Sequence, residues 1–271
     1  MRAILPLAAA LLATVFVASP ARGQSTVYVQ LDYIAVPAGA ESAYLALERD
    51  IWRPIHAERQ RRGHLLNWQL YDVMYAPPGL DYDYVTANVY GDLVSAELDE
   101  LDDVIRAALP GQDPEAVLDG TRATREIVHS ELWALVTSLG PTGQDGPQGR
   151  HLALNFMAAP EAGRAEYFAV ENSIWAPIHQ VRADDGSMGG WALYSLVLPR
   201  GSALDYQFGT VDFFDDIDSA AAGITDAQIS QAHPDRSQAE IDAMMDRTDA
   251  SRTIYKTELW TVIAGLGAPD G

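Results

Sequence analysis

Glu48, Trp52 and His56 are spaced four residues apart, which sets a carboxylate, an indole and an imidazole in one stripe along a helix. The trio returns 123 residues later as Glu171, Trp175 and His179. Histidine is the side chain that exchanges protons near neutral pH, so His56 and His179 are the candidate acid/base groups. A buried imidazole bonded to a neighbouring carbonyl is the plainer reading of the same residues. Trp68 and Tyr71, with their counterparts Trp191 and Tyr194, are candidate aromatic walls for one pocket in each half. The tyrosines fall on the strand face opposite the tryptophans, and the pattern leaves open which face looks at the helices. Glu131 and Glu258 share a strand face with Trp133 and Trp260; a carboxylate among aromatics is a weaker candidate base. An ion pair of Glu131 with Arg125, and of Glu258 with Arg252, is the favoured reading there. Asp81 and Asp205 follow Pro/Gly turns and read as turn residues.

Several chemistries are set aside. Glu48 and His56 lie about 12 Å apart on a straight helix, too far to share one metal ion. The chain has no Cys, no His-x-x-x-His pair and no dense carboxylate cluster, so no metal is expected. No glycine-rich phosphate loop and no Gly-x-Ser-x-Gly elbow is present. No cofactor is expected, and haem held by a single histidine is the one exception kept open.

The elements that must position these residues come in two copies. The offset of 123 holds from Leu31/Leu154 to Tyr71/Tyr194, becomes 124 at Leu80-Asp81-Tyr82 and Leu204-Asp205-Tyr206, and 127 at Glu131-Leu132-Trp133 and Glu258-Leu259-Trp260. All six tryptophans fall into three pairs, which chance does not produce. Residues 24–140 and 150–267 are the two units, 141–149 a Gly/Pro linker, and 268–271 a tail. In the first unit, strands are expected over Val27–Val36, Trp68–Tyr75, Tyr82–Tyr90 and Glu131–Thr137. Helices are expected over Glu41–Arg62 and, in two pieces, over 95–127. Pro54 and Pro177 fall inside the first helix of each copy, where they either kink it, at about 3 kcal/mol, or begin a new turn. Asp113-Pro114 and the Ser237…Glu240 capping box start the last helices.

Residues 1–23 read as a signal peptide: Arg2, an apolar run from Ile4 to Ala18, and small residues before a cut at Gln24. A periplasmic or secreted location follows. Losing Arg2 and Arg22 with the leader takes the net charge from −20 to −22, which argues against nucleic acid or an anionic membrane surface as partner.

The order β-α-β-β-α-β, given twice, is the ferredoxin-like arrangement. The pattern resembles the dimeric α+β-barrel superfamily, with its EthD-like, NIPSNAP-like and antibiotic-biosynthesis-monooxygenase-type members, here with two protomers fused. The resemblance implies an α+β fold of two ferredoxin-like units packed sheet to sheet as an intramolecular barrel, monomeric as a pseudo-dimer. It also implies a small-molecule pocket between sheet and helices in each unit. Some members are cofactor-independent oxygenases or isomerases, and others bind haem. The expectation is therefore an exported small-molecule-binding protein acting on an apolar or aromatic ligand, with Glu48 and Glu171 among the pocket residues. The alternatives are a non-catalytic binding or structural module of the cell envelope and a haem-binding barrel.

Overall fold

A computed structural model describes residues 26–76, 79–93, 100–142, 147–201 and 203–266. The leader, the tail, Pro77-Pro78 and the middle of the linker lie outside the described residues. The first half runs β1 (Tyr28–Ala35), α1 (Glu41–Leu47), a π turn (Glu48–Trp52), α2 (Arg53–Arg61), β2 (Asn67–Met74), β3 (Tyr84–Tyr90), α3 (Leu101–Ala108), α4 (Pro114–Thr124) and β4 (Glu126–Leu139). The second half repeats it with β5 (His151–Ala158), α5 (Arg164–Val170), a π turn (Glu171–Trp175), α6 (Ala176–Asp184), β6 (Gly190–Leu198), β7 (Phe208–Phe214), α7 (Ile217–Ala222), α8 (Asp226–Ala232), α9 (Gln238–Ser251) and β8 (Thr253–Gly265).

All eight strands close into one antiparallel barrel in the order β1-β3-β2-β8-β5-β7-β6-β4. Each half contributes a four-stranded sheet with β2 and β4, or β6 and β8, at its edges. The halves join where β2 pairs with β8 and β4 pairs with β6. Hydrogen bonding between the edges of the two packed sheets closes the barrel, and closure leaves no strand edge among the described strands.

Period-two alternation sorts the strand residues cleanly. Leu31 and Tyr33, Tyr71 and Val73, Leu154 and Phe156, Trp133 and Trp260 point into the lumen. Trp68 and Leu70 point outward beneath α1, and Trp191 and Leu193 beneath α5. On the outer side Trp52 and Ile55 pack on Val104, Ile105 and Val117 of α3 and α4. The first helix is continuous from α1 to α2. Pro54 has no N–H to give to Asp50, and just before it the ladder widens, with the Arg53 N–H bonding the Glu48 carbonyl five residues back. The proline therefore sits in the first turn of α2, behind a π turn repeated in the second copy.

Two departures from expectation matter. The third strand begins at Tyr84, so Tyr82 and its counterpart Tyr206 lie in connections and drop into the barrel mouth. Arg125 and Arg252 do not pair with Glu131 and Glu258: they close the last helices and reach Glu48 and Glu171 instead. Glu131 is solvated by aromatic donors. It accepts from Tyr33 Oη at 2.8 Å, Trp133 Nε1 at 2.9 Å and Tyr206 Oη at 2.5 Å. Glu258 accepts from Tyr82 Oη at 2.5 Å, Trp260 Nε1 at 2.9 Å and Lys256 Nζ at 2.7 Å. The two Tyr–Glu bonds cross between halves in both directions, the isologous pattern of a twofold contact. Phe156 stands where the first half has Tyr33, and Lys256 supplies the donor that Phe156 lacks.

A hydrogen bond to a buried carboxylate is worth about 1.5–3 kcal/mol. Tyr82→Phe and Tyr206→Phe are each expected to lower unfolding free energy by that amount in urea titration. A loss under 0.5 kcal/mol in both would show that the cross-half bonds do not hold the barrel together.

Candidate functional site

In the first half a cavity of about 210 Å³ lies between the outer barrel face and the helices. Its floor is Gln30 and Asp32 of β1 with Thr86, Asn88 and Tyr90 of β3; its roof is Glu48, Trp52, His56 and Arg59, and Leu101 and Arg125 close it. The π turn and the following α2 turn bring the stripe of Glu48, Trp52 and His56 over this floor. His56 stacks on Trp68 at 4.9 Å between ring centres and sits 5.6 Å from Trp52. Its Nδ1 lies 3.1 Å from Arg59 Nη1. A guanidinium only donates, so Nδ1 accepts and the imidazole proton is on Nε2. Arg59 also reaches Asn88 Oδ1 at 3.4 Å and Tyr90 Oη at 3.1 Å. Asp32 is capped by Ser130, Gln30 and Asn88 at 2.6, 2.9 and 3.3 Å. Trp52 donates to Thr121 on α4 and lies under the Arg125 guanidinium.

Arg125 Nη1 approaches Glu48 Oε1 only to 3.6 Å. Glu48 Oε1, Arg59 Nε and Arg125 Nε are buried and have no hydrogen-bond partner in the protein. Buried polar atoms in native proteins are nearly always satisfied, and three of the residues that line this cavity each carry one that is not.

The second half keeps the frame and alters the polarity. His179 stacks on Trp191 at 5.2 Å, Trp175 donates to Thr248 at 3.2 Å, and Arg252 closes directly onto Glu171. The acid on the floor has changed strands. Asp32 and Asn88 of β1 and β3 are replaced by Asn155 and Asp212 of β5 and β7, so each half retains one carboxylate beside one amide. Asp212 Oδ1 is 4.0 Å from His179 Nδ1; both atoms, and Arg182 Nε, are buried without a partner.

Burial dominates the protonation states. It holds His56 well below the usual imidazole range, helped by the Arg59 and Arg125 guanidiniums. It takes His179 down to about 3, with Arg182 and Arg252 adding to the effect. Both imidazoles are therefore neutral near pH 7, and His56, with Nδ1 occupied, is a hydrogen-bond donor rather than a base. The groups that titrate near neutrality are carboxylates. Burial pushes Glu48 and Glu171 up to about 7, against the pull of Arg125 and Arg252, and Asp212 up to about 6.

The structure thus brings Glu48, Trp52, His56 and Trp68 together, and likewise Glu171, Trp175, His179 and Trp191. It does not bring Tyr71 and Tyr194 to them. Those tyrosines point into the lumen, because their strand positions have opposite parity to Trp68 and Trp191. Glu131 and Glu258 lie on the same side, bonded to Trp133 and Trp260 at the barrel mouth. Sequence reasoning missed Arg59 and Arg182, a pair at the same offset of 123 as the histidines, and the exchanged pair of Asp32 and Asp212. Among the described residues no cluster of three or more His, Asp and Glu is disposed to hold a metal ion, and no helix is long and apolar enough to cross a membrane.

No family model and no curated protein matches the chain. Solved structures similar to it include an anthrone oxidase-like protein, at 12% identity over 90% of this chain and 94% of that one, TM-score 0.49. A haem-binding protein from Thermus thermophilus matches at 12% identity over 88% and 92%, TM-score 0.45. A chlorite dismutase from Candidatus Nitrospira defluvii in complex with cyanide matches at 8% identity over 87% and 90%, TM-score 0.45. The likeness in each case is one of fold alone, at 12% identity or less. Haem does not fit the first-half cavity. Its 210 Å³ falls below the roughly 300 Å³ at which drug-sized ligands begin to be held, and with Arg59 donating to Nδ1 the proton of neutral His56 sits on Nε2, the nitrogen left to ligate an iron.

The shifts set opposite slopes of stability with pH. Folded His56 and His179 stay neutral where unfolded histidines protonate, so their contribution is lost as pH falls through about 6.5. Folded Glu48 keeps a proton up to about 7 that the unfolded chain releases near 4.5, so its contribution grows as pH falls between these values. Glu48→Gln is therefore expected to lose stability relative to wild type on going from pH 7.5 to 5, by up to about 3 kcal/mol in paired urea titrations. Parallel pH profiles for the two proteins would place the Glu48 pKa elsewhere.

Proposed function

We propose that the first half binds a small polar molecule bearing a carbonyl or carboxylate group, and that Glu48, rather than His56, exchanges a proton with it. The observation that carries this reading is that Glu48, Arg59 and Arg125, each with a buried polar atom that has no partner, line one cavity. Two guanidiniums offer donors to oxygen acceptors of the ligand, and Glu48 offers an acceptor to its O–H, N–H or acidic C–H. A carboxyl group that titrates at about 7 has the driving force a general base needs at neutral pH. In a catalytic form, Glu48 takes a proton from the carbon beside the carbonyl. The electron pair moves onto the carbonyl oxygen facing Arg59 and Arg125, and returning the proton to either face of the same carbon completes a proton exchange or epimerisation that needs no cofactor. The polar lining favours a smaller and more polar substrate than the apolar or aromatic one suggested by the tryptophans. His56 acts here as a positioning residue, holding Arg59 and packing Trp68.

The proposal includes export, with the leader cut before Gln24, and action as a monomer, which the closed barrel supports. Mass spectrometry of the protein recovered from the expression host is expected to find Gln24 as the first residue. Light scattering is expected to give the mass of one chain.

Pyruvate, glycolate and malonate are suitable probes, read by thermal shift and by loss of pyruvate methyl protons in D2O. At least one is expected to raise the Tm, with affinity falling several-fold above pH 7 as Glu48 ionises and its charge opposes the anion. Glu48→Gln is expected to flatten that pH dependence and to abolish exchange, and Arg59→Met to weaken binding about tenfold or more. No thermal shift with any probe, or a pH dependence retained in Glu48→Gln, would overturn the assignment.

A further inference from the structure

The barrel lumen holds a separate cavity, of about 120 Å³, on the other side of the sheet from the cleft under the helices. Trp133, Trp260, Tyr71 and Tyr194 line it as two pairs related by the repeat, and aliphatic side chains fill most of the remaining wall. The buried carboxylates of the barrel mouth are not among its lining residues.

The room in this cavity comes from a break in the repeat. Equivalent inward positions on β3 and β7 hold Val85 and Ala87 in the first half but Gly209 and Val211 in the second. Val85 lies opposite Tyr33 on β1, and Gly209 lies opposite Phe156 on β5. Glycine in a strand interior sacrifices backbone order and side-chain packing, so it usually marks a steric need. None exists here. Gly209 lies outside the left-handed region, and a Cβ added to it would sit 3.4 and 3.6 Å from the Trp133 ring, at ordinary contact distance. What the missing side chain leaves is room for about one methyl group beside the Trp133 indole.

We infer that the lumen is a binding site for one small apolar molecule, on the scale of a single aromatic ring. An apolar protein cavity of about 150 Å³ stays dry and accepts benzene or xenon, and this one is of the same order. Its lining is mostly aromatic and aliphatic, with Gln69, Asn155 and Thr210 the polar exceptions, which favours a flat hydrocarbon or halogenated ring over a polar ligand. The site is independent of Glu48 and of the polar ligand assigned to the first half.

Benzene titration followed by methyl NMR, and bromobenzene titration followed by tryptophan fluorescence, test the inference on the intact protein. Saturable shifts are expected at Leu31, Leu154 and Val211, with quenching of the tryptophan emission by the bromine. Gly209→Ala, which adds one methyl group to the cavity, is expected to fold with a Tm equal to or above wild type and to bind benzene at least tenfold more weakly. Ala87→Val, which installs the residue the second half carries, is expected to act in the same direction, and serves alone if the first variant does not fold. The inference is overturned if wild type shows no saturable shift, if the shifts fall on residues outside the lumen, or if both folded variants bind benzene as wild type does.

Discussion

Everything in this protein depends on how the two sheets close. A four-stranded sheet with β2 and β4 at its margins presents two unpaired edges, and neither half can satisfy its own. The other half supplies both partners, β8 for β2 and β6 for β4. The lumen becomes a core shared equally between the copies, and the helices are left free to build on the outside. Closure also brings Tyr82 and Tyr206 over the partner half's glutamates, so hydrogen bonds within the mouth reinforce pairings made along the staves. A fused pair meets its partner at a high effective concentration set by the linker, which removes the association cost that two separate chains would bear.

Each face of the same sheet buries charge, by different means. In the lumen the carboxylates of Glu131 and Glu258 are met by phenol, indole and ammonium donors, and every oxygen of both has a partner. On the helix side the balance is incomplete. Arg125 stands off from Glu48, and several donors and acceptors have nothing to bond. The first arrangement is that of a structural network, and the second supports the site proposed for the first half. This contrast in satisfaction, more than the kind of residue present, separates the two roles of buried glutamate in the molecule.

The duplication made the architecture legible before any coordinates. Matching tryptophans at three drifting offsets located the strands, the insertions and the order of elements, because large aromatic residues are retained where a core must be filled. The register between halves was not legible, since a strand edge carries no mark of its partner. For the site, Glu48, Trp52 and His56 stood out because identical residues recurred. Tyr82 recurred as well, but it read as the first residue of the third strand, which begins at Tyr84. Arg59 and Arg182 also recur, but arginine on a helix is ordinarily solvated, so their recurrence carries no mark of burial. The floor carboxylates were invisible for a different reason: Asp32 aligns with Asn155 and Asp212 with Asn88, so an identity comparison discards both. The role of His56 turned on Arg59, whose position against the imidazole no spacing rule reveals.

That exchange of acid and amide between neighbouring strands limits how the chain can be rearranged. Replacing β1 by the β5 sequence, to make the halves more alike, would leave one floor with two amides and no acid. The reverse graft would set two aspartates side by side under one helix, next to a glutamate that is already only marginally charged. The two copies are no longer interchangeable parts, although their backbones repeat. Each strand is now compatible only with the neighbour it changed alongside, and any recombination between the copies must move β1 with β3, or β5 with β7, as a unit.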